Sequence, residues 1–279
     1  MFGKNEIVGQ KYFNDAGDKL FITSIFYTLQ GEGPYRGEPA VFVRLAKCNL
    51  ACSFCDTYFD GGDWLTFGEI DRRIFNVVSD YFGGVHPDWI EKKVGLVITG
   101  GEPMLQKNLG PFLDMMQDHF AWTQIESNGT VWQDLPKTTT LVCSPKCLEK
   151  DGKPVKYLKP NTDVMDRADC LKFVMNADQD SPYSSIPDWA HEYAAQGKQV
   201  FISPMNIYNR EPQKSKQLRS EKNDIGIEER SAVDEVISFW EEGLLDMREN
   251  QKNHEYAAQY CAKNGFTLNL QIHLYASLA

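Results

Sequence analysis

Short apolar runs alternate with stretches of helical spacing along most of this sequence. Helical spacing is present near 66–78, where Thr66 and Glu69 predict a capping box, and again near 104–119 and 187–196. The apolar runs are rich in β-branched and aromatic residues, and they predict strands over 21–27, 40–45, 94–99, 122–126, 140–143, 170–175 and 198–202. This alternation predicts an α/β fold, an open partial (β/α)6 barrel of about six strands covered by helices.

The character of the sequence changes after residue 207. A polar stretch is followed by apolar residues that recur at helical spacing over 233–248. We interpret 207–253 as a helical and loop insertion within a single domain that spans 1–279. A helix over 255–263 and a last strand over 267–273 complete the predicted elements.

The cysteine content and the charge limit the environments and partners that the protein can have. Seven cysteines, an odd number with three of them clustered, argue against a framework of disulfide bonds and for a reducing compartment. No signal peptide or apolar stretch of about 18 residues is present, so we expect a cytoplasmic protein without membrane contact. The net charge of −10 is unlike that of nucleic-acid-binding proteins, so we expect no direct nucleic-acid binding.

Three cysteines, Cys48, Cys52 and Cys55, form a C-x3-C-x2-C motif directly after the second predicted strand. A [4Fe–4S] cluster normally takes four cysteines, so three would leave one iron free to bind another group. Tetrahedral zinc also needs four ligands, and the nearest further candidates along the chain are His86 and Cys143. Packing alone would be an unusual reason for three cysteines within eight residues. We therefore favour an iron–sulfur cluster over a zinc site or buried structural thiols.

Polar segments, two of them containing glycine, follow several predicted strands. They lie at 100–103, 127–130, 144–146 and 203–206. Parallel α/β sheets place their functional sites at the carboxyl ends of the strands. The sequence therefore predicts one site built from these segments and the cysteine loop.

Three polar residues near the first two strands have roles that the residue pattern leaves open. Arg44, the only charged residue in its strand, either extends to the surface or binds a carboxylate through its planar guanidinium. Gln30 and Glu32 lie in a glycine-containing segment, and composition alone favours an ordinary solvated turn for them.

Several motifs together resemble one family of enzymes. The most specific are the Leu-Gln-Gly-Glu-Gly stretch at 29–33 and the cysteine loop at 48–57. Further matches lie at 40–45, 99–103, 126–130, 144–146, 203–205 and 271–273. On these residues the chain resembles the 7-carboxy-7-deazaguanine synthase family, radical S-adenosylmethionine enzymes of queuosine and 7-deazapurine biosynthesis. The resemblance covers about 21–206 and 266–279.

This resemblance implies a reaction and its cofactors. The family contracts the ring of 6-carboxy-5,6,7,8-tetrahydropterin to form 7-carboxy-7-deazaguanine, with release of ammonia. A [4Fe–4S] cluster on Cys48, Cys52 and Cys55 would bind and reductively cleave S-adenosylmethionine. The hydroxyl of Thr57 would bind Mg²⁺, which prefers oxygen ligands. The resemblance also implies a homodimer and a flavodoxin-type reductant.

The resemblance further implies which residues line the two small-molecule sites. Those implied at the S-adenosylmethionine site are Phe54, Cys55, Asp56, Gly100, Gly101, Glu102, Ser127, Ser144, Pro145, Lys146, Ser203, Pro204, Met205 and Asn206. Those implied at the substrate site are Leu29, Gln30, Gly31, Glu32, Arg44, Thr99, His273 and Ala279, whose terminal carboxylate would reach the substrate.

The sequence also departs from the family. Leu274 and Tyr275 stand where relatives tend to have a lysine, and 207–253 is longer than usual. Cys143 and Cys147 are too few for a second cluster, so we interpret them as free thiols. The same motifs leave two other functions open. One is a glycyl-radical-enzyme activase, and the other, of a different class, is an iron–sulfur electron carrier or a zinc-stabilised binding module.

Overall fold

The structure of the protein is a computed structural model that describes residues 6–13, 17–84, 88–89, 91–209 and 238–278. The strands are β1 (Lys19–Leu29), β2 (Pro39–Leu45), β3 (Asp63–Thr66), β4 (Gly95–Gly100), β5 (Trp122–Ser127), β6 (Thr139–Cys143), β7 (Cys147–Lys150), β8 (Lys153–Tyr157), β9 (Cys170–Met175), β10 (Gln199–Pro204) and β11 (Thr267–Leu268). The helices are α1 (Phe67–Tyr81), α2 (Leu109–Met116), α3 (Thr162–Arg167), α4 (Asp188–Ala195), α5 (Met247–Asn264) and α6 (Ile272–Ala276).

One sheet of nine strands organises the described residues, in the order β11-β10-β9-β6-β5-β4-β2-β1-β3. The strands from β11 to β2 in this order are parallel, whereas β1 pairs antiparallel with both β2 and β3. Within the described part of the chain, the end strands β11 and β3 do not pair with each other, so the sheet stays open. The predicted open, mostly parallel α/β architecture is therefore confirmed.

Helix α1 shows how the local sequence determines an element. The Thr66 hydroxyl accepts the N–H of Glu69 at 3.3 Å, and the Glu69 carboxylate accepts the N–H of Thr66 at 2.8 Å. This is the predicted capping box, whose N-cap contributes about 1 kcal/mol to stability. Ile70, Ile74 and Val78 recur at helical spacing and are buried in the main core.

The predicted helix over 104–119 is wrong in its first part. Pro103–Leu105 form a single 3₁₀ turn, and α2 begins only at Leu109. The Gln106 side chain accepts the N–H of Phe21 at 2.8 Å and donates to the Phe21 carbonyl at 2.9 Å. This buried pairing with β1 joins distant parts of the sequence, so helical spacing could not reveal the interruption.

The predicted last strand over 267–273 is wrong beyond its second residue. After β11, the N–H of Asn269 donates to the Ile202 carbonyl at 2.8 Å, and its side-chain oxygen accepts the N–H of Gly33 at 2.9 Å. Asn269 itself is fully buried. The bond to Ile202 is the last of the ladder between β10 and β11, whereas the bond from Gly33 joins the side chain to the segment after β1. The chain then leaves the sheet and enters α6.

Within the part that the structure describes, only the last two residues of the helix predicted over 233–248 are helical, and they begin α5. Residues 238–246 form turns, and the five residues before them lie outside the described ranges. Helix α5 then follows, and the Asp246 carboxylate caps it by accepting the N–H of Glu249 at 3.0 Å. The helix predicted over 255–263 is therefore one half of a longer helix.

Three short elements escaped prediction: strand β3, helix α3 and the β7–β8 hairpin. The hairpin turn is Asp151-Gly152, with φ angles of 52° and 71°. An Asp-Gly pair with two positive φ angles is a strong hairpin signal that the sequence did contain. None of the helices in the described ranges is both long and apolar enough to cross a bilayer.

The segment that follows β1 enters the interior of the sheet from its amino-terminal side. Because β1 runs antiparallel to β2, Leu29 lies opposite Pro39, at the start of β2. Gly33 has a φ of 73°, and a Cβ on it would lie 3.1 Å from Val142. Residues 30–33 therefore approach the other strands from the amino-terminal ends of the parallel strands, whereas the cysteine loop lies at the carboxyl end of β2.

Candidate active site

A single cavity of about 260 Å³ joins most of the residues that the sequence singled out. It is bounded by the cysteine loop, the segment after β1, the carboxyl ends of the parallel strands and helix α6. The sequence-predicted residues that line it are Gln30, Glu32, Arg44, Cys48, Cys52, Phe54, Cys55, Asp56, Thr57, Thr99, Gly100, Gly101, Ser127, Ser144, Lys146, Ser203, Pro204, Met205, Asn206 and His273.

Four predicted site residues, Leu29, Gly31, Glu102 and Pro145, do not line this cavity. Their neighbours in sequence line it instead. Gly31 has a supporting role, because a Cβ there would lie 2.5 Å from the Nδ1 atom of His273. Ala279 lies outside the described residues.

Glu102 is a structural residue beneath the site. Its carboxylate accepts the N–H of Met104 at 2.9 Å, the N–H of Asn128 at 2.6 Å and the hydroxyl of Ser127 at 2.8 Å. The side chain is fully buried, and burial raises the pKa of its carboxyl. Glu102 thus joins the turn after β4 to the turn after β5, so its side chain is not available to a cofactor.

The three thiols of the cysteine loop face the cavity. The N–H of Leu50 donates to the Cys48 sulfur at 3.4 Å, and the side-chain nitrogen of Asn128 lies 3.9 Å from it. Burial raises the pKa of Cys48 and of Cys55 to about 12, so a metal must displace their protons at neutral pH. Among the described residues, no three His, Cys, Asp or Glu side chains are arranged around one metal ion.

The donor set nevertheless fits a [4Fe–4S] cluster. In such a cluster each thiolate binds a different iron, so the three sulfurs need not converge on one ion. Donors directed at sulfur, such as the N–H of Leu50, are also typical of these sites. The turn after β4 packs closely here, since a Cβ on Gly101 would lie 2.0 Å from the Lys47 carbonyl oxygen. Cys48, Cys52 and Cys55 would hold the cluster.

The β7–β8 hairpin supports the cysteine loop from outside the cavity. One carboxylate oxygen of Glu149 accepts both the N–H of Ser53 at 2.8 Å and its hydroxyl at 3.1 Å. Ser53 lies between Cys52 and Cys55, so these bonds fix the middle of the loop. Glu149 therefore orients residues that would hold the cluster, although it does not line the cavity itself.

We expect Glu149→Ala to release iron to a chelator about tenfold faster than the unaltered protein, because the N–H of Ser53 loses its partner. The measurement is chelator-induced bleaching of the reconstituted protein. Lys150→Ala, at the exposed neighbouring position, is the matched control and should release iron at the unaltered rate. Equal rates in both variants would contradict the role given to Glu149.

A buried ion pair forms the floor of the cavity. The ammonium of Lys172 contacts the carboxylate of Glu32, and Gln271 donates to the other oxygen of that carboxylate at 3.1 Å. Burial opposes ionisation of Glu32, but the Lys172 charge prevails and lowers the pKa of the carboxyl. The two carboxylates around Lys172, chiefly that of Glu32, outweigh burial and raise the pKa of its ammonium. Both groups are therefore charged at neutral pH.

A second buried carboxylate, Glu126, lies beside this pair. It accepts bonds from Gln30 Nε2 at 3.1 Å, from Thr99 Oγ1 at 3.2 Å and from Gln124 Nε2 at 3.3 Å. Burial and the nearby Glu32 carboxylate both raise the pKa of Glu126. The site thus holds one carboxylate that favours ionisation and one that favours the proton.

Arg44 and His273 carry unsatisfied polar atoms into the cavity. The Arg44 guanidinium lies 5.1 Å from the centre of the Phe26 ring, and its buried Nε has no hydrogen-bond partner in the described residues. The Nδ1 atom of His273 is likewise buried without a partner. Burial lowers the pKa of His273, so its ring is neutral at neutral pH. A buried donor without a partner costs about 1–3 kcal/mol, which a bound ligand can recover.

The remaining predicted cofactor residues lie near the thiols. The Lys146 ammonium donates to the carbonyl and the hydroxyl of Ser144, each at 2.7 Å. Asn206 donates to Gln271 at 2.8 Å, and its own side-chain oxygen is buried without a partner among the described residues. The Phe54 ring packs edge-on against Tyr183 at 5.0 Å. This wall offers a cation, an unpaired amide oxygen and an aromatic edge.

Sequence analysis did not single out Glu126, Lys172 and Gln271, which take part in the buried hydrogen-bond network of the site. A signal existed for two of them. Glu126 and Lys172 are each the only charged residue in an otherwise apolar or neutral predicted strand, as Arg44 is in its own. A lone charge within a buried strand could have identified Glu126 and Lys172, as it did Arg44.

Comparison with known proteins identifies the family. The chain is 34% identical over 216 residues to 7-carboxy-7-deazaguanine synthase of Rhodospirillum rubrum, covering 74% of this chain and 79% of that protein. It is 35% identical over 228 residues to the synthase of Rickettsia prowazekii, covering 81% and 87%. The chain belongs to the 7-carboxy-7-deazaguanine synthase family. The family that the motifs indicated is thereby confirmed.

A solved structure extends the comparison to the fold of this 7-carboxy-7-deazaguanine synthase family member. The crystal structure of QueE from Escherichia coli superposes with a TM-score of 0.51 at 18% identity, covering 94% of this chain and 98% of that one. The match agrees with the open α/β sheet described above. No protein-family model matches the chain.

Proposed function

We propose that this enzyme converts 6-carboxy-5,6,7,8-tetrahydropterin to 7-carboxy-7-deazaguanine with release of ammonia. The observation that carries the proposal is one cavity that joins the three-cysteine loop to a buried network of carboxylates and amides. Membership of the synthase family supports the same reaction. The conversion loses ammonia without net oxidation, so it fits a lyase.

The cofactors in this proposal are a [4Fe–4S] cluster on Cys48, Cys52 and Cys55, and S-adenosylmethionine. When bound, they supply the radical that starts the reaction. The chain itself contributes the surroundings in which this chemistry is confined. Lys146 and the unpaired Asn206 oxygen would bind the polar groups of S-adenosylmethionine.

The floor of the cavity would recognise the pterin. Gln30, Glu32 and Glu126 present an amide and two carboxylates of different charge, which suit the mixed donors and acceptors of a pterin edge. The unpaired Arg44 Nε and the neutral His273 ring would bind the substrate carboxylate or ring oxygens. The apolar lining residues Phe26, Phe42 and Val174 would exclude water from the reacting carbon.

Magnesium, a homodimer, a flavodoxin-type reductant and a cytoplasmic location complete the proposal. Thr57 lines the cavity and donates its hydroxyl hydrogen to Asp56 at 3.1 Å, so both residues offer oxygen to Mg²⁺. The dimer and the reductant follow from family resemblance. None of the seven cysteines forms a disulfide bond, which suits a reducing compartment.

The test is an anaerobic assay with reconstituted protein, dithionite and 6-carboxy-5,6,7,8-tetrahydropterin. We expect 7-carboxy-7-deazaguanine when S-adenosylmethionine is present and none when it is omitted. EDTA should lower the rate, and added Mg²⁺ should restore it. A rate that EDTA leaves unchanged would contradict the assignment of Mg²⁺ to Thr57.

A further inference from the structure

The short segment 238–245 packs directly on the last helix of the described chain. The N–H of Phe239 donates to the Leu274 carbonyl at 2.9 Å, and Trp240 Nε1 donates to the Tyr275 carbonyl at 2.8 Å. The segment belongs to the late insertion that sequence analysis left without a role. It therefore binds the backbone of α6 through two separate hydrogen bonds.

Side chains strengthen this contact. The rings of Phe239 and Tyr275 stack with their centres 4.4 Å apart and their planes at 22°. Phe239 is buried in a small apolar cluster with Leu244, Leu245 and Leu274. The cluster is distinct from the main core, so it stabilises α6 independently of the sheet.

Helix α6 needs such support because it cannot be stable alone. It has five residues, and its N-cap makes no side-chain hydrogen bond. A helix of this length is unstable in water without tertiary packing. The stacked ring and the two backbone bonds provide that packing on one side of the helix.

The same helix also borders the cavity, and Leu274 contributes to both the cavity and the apolar cluster. His273 and Leu274 line the cavity, as does Leu278 just beyond the helix. A Cβ on Gly31 would lie 2.5 Å from His273, so the histidine is seated closely against the substrate side of the site. A shift of α6 would therefore move His273 and open this wall of the cavity.

We propose that residues 238–245 form a positioning brace, which holds α6 over the cavity and presents His273 to the substrate. The proposal rests on the proposed function only for the identity of the substrate. The brace gives one role to two departures of this sequence from the family, the long insertion and Tyr275, since Phe239 of the insertion stacks on Tyr275. None of the brace residues touches the reacting atoms in this account, so they act through α6.

The test compares Phe239→Ala with Met115→Ala, an exposed apolar residue on α2 that does not line the cavity. In Phe239→Ala we expect KM for 6-carboxy-5,6,7,8-tetrahydropterin to rise about tenfold, the scale of one stacked aromatic pair, with a smaller change in kcat. Phe239→Tyr should restore KM, because it keeps the ring. Met115→Ala should leave both constants unchanged.

A second readout separates this proposal from the proposed function. Carboxypeptidase should trim the C-terminus of Phe239→Ala about tenfold faster than that of the unaltered protein, whether or not either protein makes product. Trp240→Phe, at a largely exposed position, removes the Nε1–H donor while keeping a smaller aromatic ring, and it should give an intermediate trimming rate. Unchanged trimming in both variants would overturn the brace. Absence of product from the unaltered protein would overturn the function alone.

Discussion

Cys52→Ala will make no detectable 7-carboxy-7-deazaguanine and will retain substoichiometric iron after reconstitution. Cys48, Cys52 and Cys55 are the three thiols of the cavity, and a cluster already has one fewer cysteine here than the usual four. Loss of another ligand leaves two irons without a protein ligand. The measurements are iron and sulfide per chain and product formed under anaerobic conditions.

The control for this variant is Cys261→Ala. Cys261 is buried on α5 and does not line the cavity, so its loss should leave iron content and product formation unchanged. The comparison distinguishes loss of a ligand from the general effect of removing a buried thiol. A Cys52→Ala protein that still made product at the unaltered rate would contradict the assignment of the cluster to these three cysteines.

Lys172→Met will destabilise the protein by about 3–5 kcal/mol at neutral pH and abolish most activity. The substitution leaves the buried Glu32 carboxylate without its counter-charge, and a second carboxylate, Glu126, lies beside it. The measurement is the free energy of unfolding in urea. Lys252→Met is the control, because it breaks the exposed pair with Glu249 and should cost at most about 1 kcal/mol.

The destabilisation by Lys172→Met should depend on pH. In the unaltered protein, the lowered pKa of Glu32 contributes stability at pH values above the ordinary carboxyl pKa. That stability is lost as the pH falls through the folded-state pKa. In the variant, burial without the Lys172 ammonium raises the pKa of the Glu32 carboxyl. Holding that carboxylate ionised in the folded protein therefore costs more stability as the pH rises. The difference in the free energy of unfolding between the two proteins should therefore grow from pH 4 to pH 7, as carboxyl groups ionise.

Glu32→Gln combined with Lys172→Met should recover part of the lost stability. The double change removes both charges, and a neutral pair costs less to bury than one unpaired carboxylate. Activity should stay low, because the floor of the cavity would lack its ionised group. A single Lys172→Met variant that is equally destabilised at pH 4 and pH 7 would contradict the ionised state assigned to Glu32.

Local sequence signals predicted most of the sheet and the start of α1. The strands were recognisable because they are short apolar runs, and Thr66 with Glu69 formed the expected capping box. Errors occurred where a side chain pairs with a distant backbone. Gln106 interrupts a predicted helix through Phe21, and the Asn269 side chain accepts the N–H of Gly33 where a predicted strand ends.

The site was predictable where motifs are local, and less so where the topology brings distant residues together. The cysteine loop and the turns after β4, β5, β6 and β10 line the cavity as parallel strands require. The ion pair between Glu32 and Lys172 could not be predicted, since it joins residues 140 positions apart. It depends on β1 running antiparallel, which brings residues 30–33 in from the amino-terminal side.

The most direct measurement of the central claim is the balance of products from the unaltered enzyme. Reconstituted protein, reductant, S-adenosylmethionine, Mg²⁺ and 6-carboxy-5,6,7,8-tetrahydropterin would be incubated without oxygen, and 7-carboxy-7-deazaguanine and ammonia would be quantified. We predict that the two appear in equal amounts and track loss of the pterin. Cleavage of S-adenosylmethionine with no deazaguanine formed would contradict the proposed reaction.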